Sequence, residues 1–219
     1  MSDLVLYNYF RSSASYRVRI GLYWKNLDFK YVPVHLLKDG GEQHMPAFQA
    51  INPAGEVPTL VHAGRPLSQS LAIFQYLDQL FPDKPLFPQD AFLKAQVWQF
   101  CESINCIQPL QNLKVLQYLE SDMKISKDQV KDWVQHWVIS NLQTCEATLE
   151  KYSGQFCFGD QVTAADLFLM PQLFVVKRFE ISLGSFPLIR KIEKNCEGLE
   201  AFKQAHPLVQ PDTPAELKK

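Results

Sequence analysis

The sequence predicts two unlike parts: a small α/β domain with βαβ-α-ββα order, followed by an all-helical domain. Three observations lead there. Leu4–Phe10 and Phe29–Leu36 carry the β-branched, aromatic and alternating character of strands and flank a segment with helical spacing. Pro82, Pro85 and Pro88 then interrupt every pattern. Beyond them the apolar residues recur only at helical spacing.

The first strand runs from Leu4 to Phe10, and Ser12 and Ser13 follow as hydroxyls suited to a helix N-cap. Tyr16, Ile20, Tyr23, Trp24 and Leu27 form the apolar face of the first helix, with Arg17, Arg19 and Lys25 turned away from it. Phe29–Leu36 closes a βαβ unit whose crossover is right-handed by rule. Gly40-Gly41 breaks the chain before a short irregular helix near 46–50, and Asn52-Pro53-Ala54-Gly55-Glu56-Val57-Pro58 is turn chemistry throughout. Thr59–His62 and Arg65–Leu67 flank Ala63-Gly64 as a two-residue hairpin. Ser68, Gln69 and Ser70 then open a helix with Leu71 (or Ile73), Phe74, Leu77 and Phe81 inward. The expected division is a first domain over 1–82, a linker over 83–91, and a helical domain over 92–219 built from Phe92–Tyr118, Lys127–Tyr152, Ala164–Phe179 and Pro187–Gln204.

Composition excludes several classes of function. Lys and Arg total 22 against 23 Asp and Glu, with no long run of one sign, so nucleic acid is not an expected partner. The longest apolar stretch, between Asp166 and Lys177, is interrupted by Pro171 and Gln172 and is too short to span a membrane. MSDLVLYNYFR carries Asp3 and no secretory pattern, so the expected location is the cytoplasm. Cys101, Cys106, Cys145, Cys157 and Cys196 include no Cys-x-x-Cys pair, and no His-x-x-x-His occurs, so neither a dithiol centre nor a protein-bound metal is expected.

Two readings of the Ser pair compete. Backbone N–H groups at a helix start are unpaired and partly positive, so Ser12, Ser13 and the amides after them could hold an anion; the simpler reading is a cap. Ser68-Gln69-Ser70 repeats the same choice, and two such helix starts in one small domain suit a ligand bearing carboxylates. Other conspicuous residues read as structural. Thr163-Ala164-Ala165-Asp166 is a capping box, Pro171 falls early in the helix after it, Trp98, Trp133 and Trp137 lie on core stripes, and Cys101 and Cys106 read as buried thiols.

The strings RSSASYRVRIGL (from Arg11), NPAGEVPTL (from Asn52), SQSLAIFQYL (from Ser68), IQPLQNL (from Ile107), GDQVTAADLFLMPQL (from Gly159) and QPDTP (from Gln210) occur in the order found in the zeta class of glutathione transferases, which the chain resembles from Leu6 to Pro214. The resemblance implies a thioredoxin-like N-terminal domain that binds glutathione as cofactor. It also implies a helical C-terminal domain contributing much of the substrate pocket, and a homodimer. On this chain the implied glutathione contacts run along Ser12, Ser13, Ala14, Ser15, Tyr16 and Arg17. Val57-Pro58 would be a cis-proline turn facing the cysteinyl part, Gln43 would approach the glycyl end, and Gln69 and Ser70 would hold the γ-glutamyl carboxylate. Gln108, Asn112, Leu113 and Lys114 would add contacts from the second domain.

The implied activity is glutathione-dependent cis–trans isomerisation of maleylacetoacetate to fumarylacetoacetate, a step of tyrosine and phenylalanine breakdown. A thiol with pKa near 8.5 must be lowered by roughly two units to ionise at neutral pH, about 2.7 kcal/mol of anion stabilisation. The Ser12 hydroxyl and the first helix's N-terminal dipole have the right size to supply it. The thiolate would add to the cis double bond of the diketo diacid, and elimination after rotation would return it. Arg11 and Arg178 are the candidate anchors for the substrate's carboxylates and developing enolate. One residue departs from the family: members that isomerise such acids commonly read Ser-Ser-Cys where this chain has Ala14. Maleylpyruvate as substrate, conjugation of electrophiles, dehalogenation of α-haloacids, and a noncatalytic binding role are the alternatives.

Overall fold

The structure is a computed structural model that describes residues 3–218. It divides into two compact units, one of residues 1–86 with 197–219 and the other of 87–196, the terminal residues outside the described range being counted with the first.

In the first unit, β1 (Leu4–Asn8), α1 (Ser13–Trp24), β2 (Lys30–Pro33), α2 (Pro46–Gln49), β3 (Thr59–His62), β4 (Arg65–Ser68) and α3 (Ser70–Leu80) follow in the expected order. The sheet order is β2-β1-β3-β4, with β1 parallel to β2 and the other pairings antiparallel. β1 is central, and its alternation buries Leu4 and Leu6. The hairpin between β3 and β4 turns on Ala63 (φ 49°) and Gly64 (φ 75°), the two positive values that a two-residue turn of matching twist requires. β2 is shorter than the expected Phe29–Leu36: it ends at Pro33, which an edge strand tolerates, and the Val34 N–H adds one last bond to the Asn8 carbonyl at 2.8 Å.

α1 is buried far more completely than a single apolar face predicts. From Ser15 to Leu22 every side chain is inside, Arg17 and Arg19 included, because α3 and a C-terminal helix, α9 (Glu200–Ala205), pack against it as well as the sheet. Lys25 at its end is also buried; its ammonium pairs with Asp78 at 2.7 Å and donates to the carbonyl of Phe81 at 2.8 Å. Asp78 in turn accepts the Leu86 N–H at 3.0 Å, so the proline-rich segment starts from a pinned position.

The second unit contains α4 (Ala91–Ile107), α5 (Leu113–Gln117), α6 (Lys127–Tyr152), α7 (Ala164–Arg178) and α8 (Pro187–Glu197). The helix expected over Phe92–Tyr118 is broken. Pro109 cannot donate to the preceding turn, residues 108–111 tighten into a 3-10 turn, and extended Asn112 (ψ 149°) precedes α5. The Trp133 indole fixes that turn by donating to the Leu110 carbonyl at 2.8 Å. The helix expected over Pro187–Gln204 likewise ends at Glu197, and Leu199 is extended (ψ 136°) before α9. The division therefore differs from a boundary with everything after 92 in one helical domain: residues 197–219 cluster with the first unit, where the Arg19 Nε donates to the Ala205 carbonyl at 3.0 Å.

Two smaller expectations also change. Cys106 is exposed rather than buried, and Trp98, Trp133 and Trp137 are half-buried, at the edge of the core. Burial pushes the Cys145 thiol up to about 12 and the Cys157 thiol well above its ordinary value. Among the described residues, no helix is long and apolar enough to cross a membrane.

α7 forms the centre of the second unit, with every side chain from Ala164 to Leu173 buried. Its start depends on Asp166, whose fully buried carboxylate accepts the N–H groups of Thr163 and Cys157, each at 2.8 Å. Burial raises the Asp166 pKa, and these bonds oppose that rise. Asp166→Ala is expected to lower the unfolding free energy in urea by about 3 kcal/mol, since two buried donors lose their acceptor. Asp166→Asn, which keeps one carbonyl oxygen, is expected to cost less.

Candidate functional site

Strand register brings the candidate segments of the first unit to one end of the sheet. Asn8 pairs with Pro33 in the parallel ladder, Tyr7 with Thr59 in the antiparallel one, and Thr59 with Ser68. The residues after β1 (9–12), after β2 (34–43), before β3 (57–58) and after β4 (69–70) therefore emerge together. Ser12, Gln43, Val57-Pro58 and Gln69-Ser70 are each carried by one of these four segments.

Ser12 is the N-cap of α1, and its Oγ accepts the Ser15 N–H at 3.2 Å. The capping reading is thus correct, and it leaves the anion reading open: capping uses an acceptor lone pair, whereas an anion would take the hydroxyl proton. The Ser12 carbonyl accepts the Tyr16 N–H at 2.9 Å, so Ser13 and half-buried Ala14 carry the N–H groups at the helix start that have no helical partner. Ser15, Tyr16 and Arg17 turn their side chains into the unit. Ser15 Oγ accepts the Tyr9 N–H at 3.4 Å, the Tyr16 ring stands edge-on to His206, and an Arg17 guanidinium nitrogen donates to Ser70 Oγ at 3.3 Å. That last bond links the starts of α1 and α3. Arg11 is half-buried, one residue before the cap.

The turn before β3 is organised by Asn52. Its side-chain nitrogen donates to the Glu56 carbonyl at 2.8 Å and to Thr59 Oγ1 at 3.0 Å, while its oxygen accepts the Ala54 N–H at 3.1 Å. The Val57–Pro58 peptide is cis, as the resemblance implied. At the start of α3, Gln69 is exposed and left-handed (φ 69°), a conformation a non-glycine residue holds only where its surroundings impose it, and Ser70 beside it is buried. Gln43 is buried, its side-chain nitrogen donating to the Leu36 carbonyl at 3.3 Å while Oε1 has no hydrogen-bond partner.

The remaining candidates belong to the second unit. Gln108, Asn112, Leu113 and Lys114 occupy the broken segment after α4, and the buried amides of Gln111 and Gln172 pair reciprocally at 2.6 and 3.2 Å to tie it to α7. Arg178 is exposed at the end of α7 with its guanidinium 4.9 Å from the Phe179 ring centre. α6 joins the two places, since Trp133 holds Leu110 and the Gln135 amide donates to the Phe179 carbonyl at 3.0 Å.

Sequence reasoning assigned no partners to the residues that hold the site, Asn8, Arg19, Tyr31, Asn52, Gln111 and Asp212, although four of them lie inside the quoted strings. A buried arginine on an otherwise apolar helix and an acid inside QPDTP gave a signal only in retrospect, because their partners lie far along the chain. Arg19 donates to Asn8 Oδ1 at 3.0 Å and to the carbonyls of Tyr9 at 3.3 Å and Phe10 at 2.9 Å. Burial lowers its pKa, and the charge of Asp212 offsets part of that.

Comparison with known proteins agrees with this geometry. The family "Glutathione S-transferase, N-terminal domain" matches residues 6–85. Maleylacetoacetate isomerase of Rattus norvegicus is 43% identical over 215 residues, 98% of this chain and 97% of that protein. Among solved structures, the holo form of a maleyl pyruvate isomerase, described as a bacterial zeta-class glutathione S-transferase, aligns with TM-score 0.92 and 35% identity over 96% of this chain and all of its own. Maleylacetoacetate isomerase of Methylobacterium extorquens, solved with malonate and GSH, aligns with TM-score 0.91 and 34% identity over the same shares. With identity above 40% along nearly its whole length, and the βαβ-α-ββα unit beneath the matched region, the chain belongs to the zeta class of glutathione S-transferases.

Proposed function

We propose that this protein is a glutathione-dependent cis–trans isomerase that converts maleylacetoacetate to fumarylacetoacetate, as in tyrosine and phenylalanine breakdown. The observation that carries the reading is the convergence of Ser12, Gln43, Val57-Pro58 and Gln69-Ser70 at one end of the sheet, beside two helix starts. The residues fit glutathione: the buried Gln43 Oε1 without a partner suits a peptide donor, and the start of α3 suits a carboxylate.

When bound, glutathione supplies the thiol whose anion adds to the double bond and leaves again after rotation. Ser12 donates its hydroxyl proton toward that sulfur while its lone pair stays on the Ser15 N–H, so the donor is already oriented by the fold. The free amides of Ser13 and Ala14 add the positive end of α1. Gln69 and Ser70 hold the γ-glutamyl carboxylate, with Arg17 behind Ser70 Oγ contributing charge from beneath. Val57 pairs with the cysteinyl part through its backbone, and Arg11 and Arg178 anchor the substrate's carboxylates and developing enolate. The first unit is the cofactor domain, and Gln108, Asn112, Leu113 and Lys114 of the helical unit add contacts to the ligand. The homodimer and the cytoplasmic location belong to the same reading. Maleylpyruvate is the favoured second substrate, because the likeness to the maleyl pyruvate isomerase is as close as that to the maleylacetoacetate isomerase.

The test is absorbance-monitored isomerisation of a maleyl diketo acid with and without glutathione. Turnover only with glutathione, and with no net glutathione consumed, is expected; stoichiometric thioether would instead identify a conjugating transferase. Ser12→Ala is expected to reduce kcat by about 100-fold and stability by about 1 kcal/mol, whereas Ser12→Asn, which keeps a cap but no hydroxyl, is expected to lose the activity with the stability largely retained. Ala14→Cys restores the family's commoner residue at the helix start, where a thiol ionises more readily, and is expected to change kcat by about 3-fold or more. Unchanged kinetics would show the departure at position 14 to be neutral.

A further inference from the structure

The QPDTP segment at the end of the chain has no part in the chemistry above, yet it is almost entirely committed to internal bonds. The Gln210 side-chain amide donates to the carbonyls of Gln204 at 2.7 Å and His206 at 2.9 Å, and Thr213 Oγ1 donates to the Pro207 carbonyl at 2.6 Å. These bonds make a rigid hook, and Gln210 and Thr213 are both buried within it. The hook presents Asp212 to the loop that precedes Ser12. Asp212 Oδ2 accepts the Phe10 N–H at 2.9 Å, and Oδ1 accepts the Tyr31 hydroxyl from β2.

Phe10 is thereby held on both faces of its backbone, the N–H by Asp212 and the carbonyl by Arg19 at 2.9 Å. Its neighbour is held as fully: the Tyr9 N–H goes to Ser15 Oγ, and the Tyr9 carbonyl accepts from Arg19 and from the Ser12 N–H at 3.1 Å. Two peptide units thus lie between the clamp and the Ser12 hydroxyl, and the orientation of the Phe10 peptide sets where that hydroxyl stands. Arg19 also donates to the Ala205 carbonyl, so the clamp closes through the tail on both sides.

We propose that Asp212 is a positioning residue for Ser12: by fixing the Phe10 peptide from the C-terminal hook, it sets the direction of the hydroxyl that stabilises the bound thiolate. The inference rests on the glutathione-dependent function proposed above. It makes the tail a part of the active-site framework in addition to a cover for α1. Tyr31 acts one step behind, orienting the carboxylate through Oδ1.

The test titrates the thiolate of bound glutathione by its ultraviolet absorbance, alongside the pH profile of kcat and the thermal midpoint, in wild type, Asp212→Ala, Asp212→Asn and Tyr31→Phe. Asp212→Ala is expected to raise the pKa of the bound thiol by about one unit, which leaves about 10-fold less thiolate at the foot of the profile and lowers kcat there correspondingly. KM for glutathione is expected to stay within about 2-fold, because the carboxylate-holding residues are untouched. Asp212→Asn, which keeps one acceptor oxygen, and Tyr31→Phe are expected to shift less, in the same direction. If Asp212→Ala does not fold, the other two variants decide. Variants with a lower thermal midpoint but an unshifted thiol titration and pH profile would overturn the inference and leave the tail a staple. A wild type that neither ionises bound glutathione nor isomerises the maleyl acid would overturn the functional reading and the inference together.

Discussion

The burial of the Arg19 guanidinium is the constraint on which the rest of the first unit is arranged. A fully buried charge is tolerated only if its donors are paired, because the desolvation cost is otherwise several kcal/mol. Arg19 meets this with an amide oxygen from β1, two carbonyls of the loop after β1, and a carbonyl from α9. Those acceptors come from two stretches of chain far apart in sequence, 8–10 and Ala205, and the planar fork of the guanidinium fixes the geometry in which it meets them. The loop after β1 and the end of the chain are therefore fixed relative to α1 by the same group. This explains why residues 197–219 cluster with the first unit although they follow an all-helical stretch.

The consequence for chemistry follows from the sheet. In a mixed order β2-β1-β3-β4, parallel pairing of β1 with β2 and antiparallel pairing elsewhere bring the ends of β1, β2 and β4 and the start of β3 to the same side, while the β3–β4 hairpin turns at the other. Two of these ends run directly into helices, α1 and α3, whose first amides lack helical partners. The two starts are coupled by Arg17, which leaves α1 and donates to Ser70 at the head of α3. Two helix starts with unpaired amides at one side of the sheet are thus a property of the topology, and the proposed function gives Ser12, Gln69 and Ser70 the choice of anion.

Much of this order was legible in the sequence, and the reasons it was legible are local. Strand alternation, the Ala63-Gly64 turn and the caps at Ser12 and Thr163 depend on neighbours within a few residues, so pattern alone located β1, β3, β4, α1, α3, α6 and α7. What pattern could not see was non-local. Arg17, Arg19 and Lys25 look like a solvated face of α1, and they are buried because their partners, Ser70, Ala205 and Asp78, arrive from later in the chain. The break after α4 was foreshadowed by Pro109, but the helix was extended through it because the apolar spacing continues on either side. At the candidate site, the resemblance supplied the residues expected to face a ligand, whereas Asn52, Gln111 and Asp212, although inside the same strings, act through partners that only the fold reveals.

The cysteines bear on the departure at Ala14. In the described residues Cys101, Cys145, Cys157 and Cys196 are buried, and burial holds the thiols of Cys145 and Cys157 far above neutrality. Cys106 is exposed, at the end of α4. The end of the sheet where the four loops converge contains hydroxyls, amides and cations, with alanine at position 14. A site built this way can lower the pKa of a sulfur brought to it and cannot compete with that sulfur as a nucleophile. On the function proposed above, the activating load falls on one hydroxyl and the helix amides beside it, which puts the weight on the orientation of Ser12. A loop whose peptide groups before the cap are fixed by Asp212, Arg19 and Ser15 is the arrangement such a load requires.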